Sequence, residues 1–565
     1  MIKQQLEDDL KKAVKDLGFG ASDIVISIPK NSEFGDYSSN IALQLAKLNL
    51  GNGKQSSEEI ANQIVDRLQV TGNSKEYLER VEIKGGGFIN FFIKPEFLAE
   101  NLAEILEKGE DFGSSSDNMG NKIQVEFISA NPTGPLTLAN GRGGAMGDTL
   151  ANVLSFNGVF VNREYYVNDT GNQIRLLGES ALAVLGKVSP KEEHYQGEYV
   201  KELAYKFGQG QASSSSSSLS DLGVDDLSDG LRADGLASSL EFGETLADYL
   251  LESEIKPAIE RLGVKFDEFY SERSIYERDL ITKTVKLLEE KDLAYEKDGA
   301  LWFRATKFGD EKDRVLMTSK ASRGQIEPTY FLADIAHHID DLEKDYQKRI
   351  NFLGADHHGY GARMQGVMEA LGYKGKVEMI FFQFVRLFKE GKEVRMSKRA
   401  GNFVTLDELL DLVGKDAVRF FFLMYAPSSH IDFDLDLARE KSTKNPVFYV
   451  QYAHARISNI LANSKFEIRN SKLKILEKRE ELEIIKHLGE FPDLIAEIAK
   501  TYQVQALPAY ALKLADLLNS FYEACPVLQA ESEELKEARL SLVKAAKIVL
   551  GNSLKLMGIE APEKM

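Results

Sequence analysis

Two spacings of apolar residues divide the chain. In short stretches apolar and polar positions alternate, which predicts strands; elsewhere apolar residues recur every three to four positions, which predicts amphipathic helices. The opening MIKQQLEDDLKKAVKDL has the helical spacing with charges opposite. Strands are predicted over residues 24–28 and 88–93, the second after a tight turn at Gly85-Gly86-Gly87. With the helices between them, residues 1–110 make a small α/β module. Residues 111–120, DFGSSSDNMG, read as a linker. From 125 to about 440 strands alternate with helices, as in a parallel sheet, and a long insertion at about 170–345 splits the pattern. Only the helical spacing continues beyond 441, over 448–463, 473–491, 508–525 and 533–556, with Pro508 in a first turn where no N–H is needed. The expected fold is multidomain: an α/β domain at 1–110, a parallel-sheet domain at 121–440 and an all-helical domain at 441–565. Within the insertion, residues 209 to about 239 are Ser-rich, and 213–218 are unbroken serine. Such a composition cannot offset its ordering entropy, so a disordered surface loop is expected there.

Composition narrows the function classes. A chain of 565 residues exceeds one hydrophobic core. With 43% hydrophobic and 28% charged residues it has an ordinary soluble composition. No run of about 18 apolar residues suggests a membrane span, and the N-terminus lacks the apolar core of a signal peptide. The single cysteine, Cys525, excludes an intrachain disulfide and a CxxC metal knuckle, and suits a reducing cytoplasm. The net charge of −18 by itself speaks against nucleic acid, whose binders carry a basic footprint. Acid is concentrated at 221–253 and 480–483, whereas 389–399 is basic.

Two segments carry chemistry. Residues 125–148, VEFISANPTGPLTLANGRGGAMGD, run from a β-prone stretch (125–129) through a Pro/Gly turn into a helix opened by small residues. Free N–H groups and the helix dipole make such a turn an anion site. It is neither GxGxxG nor a Walker loop. An ordinary helix capped by Asn140 fits the same pattern. Residues 391–406, GKEVRMSKRAGNFVTL, form a basic, glycine-containing loop able to close over a phosphate, although Lys398 and Arg399 alone would suit a solvated turn.

Together these segments resemble the signatures of class I aminoacyl-tRNA synthetases. Thr137-Leu138-Ala139-Asn140 stands where that class carries His-x-Gly-His, and Arg395-Met396-Ser397-Lys398-Arg399 resembles Lys-Met-Ser-Lys-Ser. FGDYSSN (34–40), GGGFINFFI (85–93), REYYVNDTGNQI (163–174), FDEFYSE (266–272), PTYFLADIAHH (328–338), NFLGADHHGY (351–360) and MGIEAPEKM (557–565) narrow the resemblance to the arginyl-tRNA synthetase family. The resemblance implies a Rossmann-type catalytic domain. It implies activation of L-arginine by ATP to arginyl-adenylate, then transfer to the 3′-terminal ribose of tRNA(Arg), with tRNA needed for activation. ATP is then a substrate, bringing Mg²⁺ held by phosphate oxygens and water, and no tightly bound cofactor is expected. The expected protein is a cytoplasmic monomer with tRNA(Arg), L-arginine and ATP as partners and no membrane.

A guanidinium offers a planar fork of donors and requires acceptors, best of all carboxylates. Glu126 lies mid-strand, and Tyr330 and Asp334 share a helical face four residues apart. The resemblance gives Glu126, Tyr330 and Asp334 to the arginine side chain, and Asn131 with Asp356 to its α-amino group. It gives ATP to Thr137, Ala139, Asn140, Gly141, His357, Met396, Ser397 and Lys398, with Thr137, Asn140 and Lys398 as the catalytic residues. Thr137 departs from the family's histidine; an uncompensated loss of one such donor costs about 3 kcal/mol, and His357 or His358 could compensate. For tRNA, Phe88 and Asn90 share a strand face suited to stacking and edge-reading of an unpaired base. Tyr449, Tyr452 and Arg456 form an aromatic–basic helical stripe, a pattern also common in cores. Asp416-Ala417-Val418-Arg419 resembles the tetrapeptide that names this helical domain type. Two rivals stand beside the ligase. One is a catalytically weak paralogue that binds tRNA or arginine. The other is a metal-dependent phosphohydrolase built from His337-His338, Asp340-Asp341, Asp356 and His357-His358; under the family reading no metal site is expected.

Overall fold

The structure, a computed structural model, describes residues 2–565 except 21–23, 28, 30–31, 49–54, 72–73, 209–236, 321–325, 395–403 and 465–469. At its centre five parallel strands run in the order Val377–Phe382, Lys348–Gly354, Lys122–Glu126, Phe160–Val167, Glu268–Ser271. The chain builds outward from Lys122–Glu126 in one direction and later returns on its other side. This reversal opens a crevice beyond the C-terminal ends of Lys122–Glu126 and Lys348–Gly354, where open α/β sheets bind ligands. The strand Glu268–Ser271 falls inside the stretch expected as insertion, yet it closes the main sheet. Phe266 and Phe269 anchor it, with ring centroids 4.5 Å from Phe127 and 5.3 Å from Tyr165 respectively. Four residues are too few for their alternation to be legible.

The β-prone run predicted over 125–129 stops at Glu126, because Ile128 and Ser129 have φ of 66° and 39°. Left-handed backbone at a β-branched residue is strained and needs support. Ser129 Oγ accepts from Tyr166 N (3.1 Å), and the Tyr165 hydroxyl donates to Ala130 O (2.7 Å). The helix Leu138–Phe156 then runs beneath the sheet, buried over most of its length. Its glycines admit neighbours: a Cβ at Gly147 would stand 2.3 Å from Phe127, and at Gly144 2.9 Å from Ile128. Arg142 is buried and, among the described residues, donates to the carbonyls of Gln383, Ala426 and Ser429 and pairs with no carboxylate.

In the insertion, helices Asn172–Val184 and Ala237–Leu250 cross at Gly178 and Gly243, each against the other's backbone. Ala237 and Ser239 therefore belong to a packed helix and not to the Ser-rich loop expected to reach about 239. Residues 209–236 lie outside the described ones. The N-terminal domain is a four-stranded antiparallel sheet in the order Ile26–Ser27, Tyr37–Ser39, Phe88–Ile93, Leu78–Lys84. Gly85, Gly86 and Gly87 make its turn at φ 60°, 75° and 130°. The helix Pro95–Lys108, expected with this domain, packs on the C-terminal helices: Asn101 meets Gly489, and just past the helix Phe112 stacks on Phe491 at 6.4 Å. The helix expected at 473–491 breaks after Gly489, and Phe491–Thr501 begins anew with Pro492 in its first turn. Arg419 ties the units together. It donates to Asp148 of the buried helix (2.6 Å), to Leu262 O (3.2 Å) and to Met557 O (2.6 Å).

A Cβ at Gly178 would stand 1.9 Å from the Ser239 carbonyl oxygen. Gly178→Ala is expected to destabilise the protein by ~1–3 kcal/mol, seen as a lower denaturation midpoint. Gly551→Ala, whose Cβ meets His454 Nε2 at an ordinary 3.7 Å, should leave the midpoint unchanged or raise it.

Candidate active site

The crevice opens into a cleft of about 1510 Å³ lined by Glu126, Asn131, Thr137, Ala139, Asn140, Tyr330, Asp334, Asp356 and His357. Residues expected from 126 to 357 thus meet in one place. The register of the sheet sets the arginine end, with Glu126 paired to Asn351 across adjacent strands. Glu126 Oε2 accepts from Arg349 Nη2 (2.5 Å) and from Asn351. On the facing helix Tyr330–Glu343, Tyr330 is half-exposed, and Asp334 Oδ2 accepts from the Tyr360 hydroxyl. Burial pushes the Asp334 carboxyl up, while the Tyr360 hydrogen bond opposes it.

Glu272 completes this wall and was not singled out in the sequence. It lines the cleft beside Tyr166, just past the strand Glu268–Ser271, and is almost wholly buried. Burial, then the neighbouring Asp334, raises its carboxyl from 4.5 to about 7. The signal for it was positional. Ends of parallel strands carry site residues, but the strand itself was not legible.

At the other end lies the turn. Thr137, and not Asn140, is the N-cap. Asn140 N donates to Thr137 Oγ (3.4 Å), while Thr137 N and Oγ both donate to Asn140 Oδ1 (2.9 and 2.7 Å). This is a reciprocal capping box, which satisfies helix N–H groups that would otherwise lack partners. Ala139 faces the cleft, but Gly141 does not line it. A Cβ at 141 would stand 2.6 Å from Leu406 Cδ1, so the glycine lets the helix pack on Leu406. Thr137 also pairs antiparallel with Thr405, and Leu406 N donates to Leu136 O (2.8 Å). Both ends of the basic loop are therefore anchored: Lys392–Val394 in a sheet, and Thr405 on the signature turn. Arg395, Met396, Ser397, Lys398 and Arg399 lie outside the described residues.

The proposed tRNA residues fare differently. Phe88 is 42% exposed and presented to solvent, but Asn90 is 2% exposed, so the expected edge-reading amide lies inside the domain and not beside Phe88 on the surface. On the helix Pro446–Ala462, Tyr449 bonds Asp516 (2.8 Å) and Asn519 (2.7 Å), and Arg456 lies 3.4 Å over the Tyr522 ring. Both thus engage side chains of the helix Ala506–Ala524. Tyr452, stacked on Phe448, remains presented to solvent.

The residues of the metal reading are mostly engaged with protein partners, although Asp334, His337 and His338 have ligand-capable geometry. Asp340 pairs with Arg278, Asp341 with Arg349 and Lys344, and His338 Nδ1 lies 2.8 Å from the Asp334 carbonyl. Asp356 and His357 stand apart and exposed. Glu126, Glu164 and His337 have ligand-capable geometry, but the Arg349 guanidinium already supplies their cation, 2.5 Å from Glu126 and 2.8 Å from Glu164.

The comparisons with known proteins agree with this geometry. Residues 237–421 match the catalytic domain of tRNA synthetases class I (R), residues 1–93 the arginyl tRNA synthetase N terminal domain, and residues 450–565 the DALR anticodon binding domain. The fold and cleft are those of a class I aminoacyl-tRNA synthetase. The chain is 42% identical to an arginine–tRNA ligase of Bacillus licheniformis and 40% identical to one of Bacillus subtilis, covering 100% of this chain and 99% of each relative. Its fold matches that of the Thermus thermophilus arginyl-tRNA synthetase with a TM-score of 0.78, at 23% identity and 100% coverage of both chains. The chain belongs to the arginyl-tRNA synthetase family.

The elevated Glu272 carboxyl has consequences of definite sign. The folded protein holds this proton to about pH 7, where the unfolded chain has lost it, so its contribution to stability declines as pH rises through that window. A bound cation favours the ionised form. The KM for arginine is therefore expected to fall between about pH 6 and about pH 8. Glu272→Gln should abolish that limb and leave the KM high throughout. A limb near neutrality that survives the substitution would assign the titration to another group.

Proposed function

We propose that this cleft performs the arginine–tRNA ligase reaction. One observation carries the assignment of ends: Glu126, Glu272, Asp334 and Tyr330 converge at one end, and a capped helix N-terminus lies at the other. The carboxylates suit a guanidinium fork, and the helix end suits phosphate. Asn131 and Asp356 also line the cleft and suit the α-amino group. The arginine carboxylate then attacks the α-phosphate of ATP, an oxygen–phosphorus bond forms, and pyrophosphate leaves. In the second step a ribose hydroxyl of the tRNA attacks the acyl carbon and AMP departs. The protein's part is positioning and stabilisation of phosphate charge. Lys398 is assigned to the outer phosphates, and Mg²⁺ enters with ATP, bound mainly by phosphate oxygens and water. Phe88 is assigned to the tRNA elbow and Tyr452 to its anticodon side. We place the protein in the cytoplasm as a monomer.

The weak-paralogue reading draws on the commitment of the Thr137 hydroxyl to Asn140. ATP–pyrophosphate exchange with arginine, with and without tRNA, decides between them. The ligase requires arginine-dependent exchange with tRNA present; tRNA binding without exchange would leave only the paralogue.

Asp334→Asn removes a carboxylate that faces arginine and not ATP. The KM for arginine should rise by roughly tenfold or more with the KM for ATP nearly constant. Equal arginine affinity in that variant would refute the assignment. Thr137→His breaks the capping box, whose loss costs about 1 kcal/mol. Slower exchange is expected, with a lower melting temperature. A faster enzyme would show that the turn has kept room for the family's histidine.

A further inference from the structure

Behind the arginine end of the cleft lies a second, resident guanidinium. Arg349, on the strand Lys348–Gly354, is wholly buried. Its Nη2 donates to Glu126 Oε2 (2.5 Å) and Glu164 Oε1 (2.8 Å), and its Nη1 donates to Gln124 Oε1 (2.8 Å) and pairs with Asp341. His337 Nε2 lies 3.0 Å from both Glu164 Oε1 and Asp341 Oδ2, and Lys344 Nζ lies 3.0 Å from Asp341 Oδ1. Glu164 and Asp341 are enclosed on all sides. Glu126 alone of the three carboxylates lines the cleft.

Two consequences follow from this arrangement. Arg349 and Asn351 both take Oε2 of Glu126, so Oε1 is the oxygen left for a ligand. A buried carboxylate without a counter-charge takes up a proton rather than stay charged. Glu164 shows which effect wins here: burial alone would raise it, but Arg349 and His337 hold it well below the usual carboxylate range. The same guanidinium touches Glu126. The enclosed Glu164 and the cleft-facing Glu126 thus share one resident cation.

We propose that Arg349 is a positioning residue that sets the cation specificity of the pocket: by occupying Oε2 of Glu126 from the interior side it turns Oε1 to the cleft, so that a single carboxylate is bracketed by a resident and a substrate guanidinium. The proposal rests on the assignment of Glu126 to the arginine side chain. Arg349 itself touches no substrate.

Arg349→Met alone would leave buried carboxylates facing one another and could unfold the protein. Combined with Glu164→Gln and Asp341→Asn, it removes the surplus charge at nearly constant volume. Full-length variants are tested for L-arginine and L-citrulline binding by calorimetry, and for KM in ATP–pyrophosphate exchange with tRNA present. In the combined variant arginine affinity should fall roughly 100-fold, while citrulline is little affected and the arginine preference collapses. The KM for ATP should stay within about threefold. Arg349→Lys, which keeps the charge but not the fork, should lose about tenfold for arginine and retain the preference over citrulline. An unchanged arginine-to-citrulline ratio in the folded combined variant overturns the proposal. So does a parallel loss of arginine, citrulline and ATP, which marks a purely structural role. Glu126→Gln separates the premises. If it binds arginine like the unmodified protein, the assignment of Glu126 fails and the proposal with it. If it loses arginine while the combined variant does not, only the role of Arg349 falls.

Discussion

A guanidinium with no contact to water holds the middle of the catalytic sheet. Arg349 joins the strand Lys348–Gly354 to Lys122–Glu126 through Gln124 and Glu126, to Phe160–Val167 through Glu164, and to the helix Tyr330–Glu343 through Asp341. Removing such charges from water is costly, and the cost is met only when every partner is placed well. Breaking one partner leaves an uncompensated charge inside the protein. The network therefore fixes which strands lie side by side at the reversal of the sheet, and so where the cleft opens. Glu126 is shared between this interior and the cleft, so structure and specificity rest on the same carboxylate.

The two ends of the cleft are built by different physics. The arginine end is electrostatic: enclosed carboxylates raised by burial or held down by resident cations. The phosphate end is conformational. Residues at positive φ end the strand after Glu126, a capping box closes the helix Leu138–Phe156, and glycines let that helix lie against Phe127, Ile128 and Leu406. The Thr137–Thr405 bridge brings the entry of a second capped helix, Leu406–Val413, to the same turn. Arg419 reaches Met557, so the end of the C-terminal domain bears on the signature helix through Asp148.

Much of this was legible along the chain. The alternation of strands and helices, the helical C-terminal domain, and the gathering of Glu126, Asn131, Thr137, Asn140, Tyr330, Asp334, Asp356 and His357 were expected, and the cleft contains all of them. Where expectation and structure part, the reason is physical. Gly141, given to ATP by the resemblance, packs against Leu406 outside the cleft lining, since small residues also permit helix packing and only the neighbour distinguishes the two. Glu272 was missed because its strand is four residues long. Tyr449 and Arg456 have the spacing of a binding stripe, yet their partners Asp516, Asn519 and Tyr522 lie on another helix.

By itself the sequence determined what depends on neighbours in the chain: periodicity, the turn at Pro132 to Asn140, the glycine-containing basic loop, and a family signature held in order and spacing. It could not determine which of two reciprocal residues caps a helix, which carboxylates share a proton-poor interior, or which charges are already spent on one another. Those depend on side chains from distant segments meeting in a medium of low dielectric, where a fraction of an ångström decides between a partner and a bare charge. Glu126 could be placed in a strand from the sequence. That one of its oxygens belongs to Arg349 and the other to the cleft was decided only by the tertiary structure.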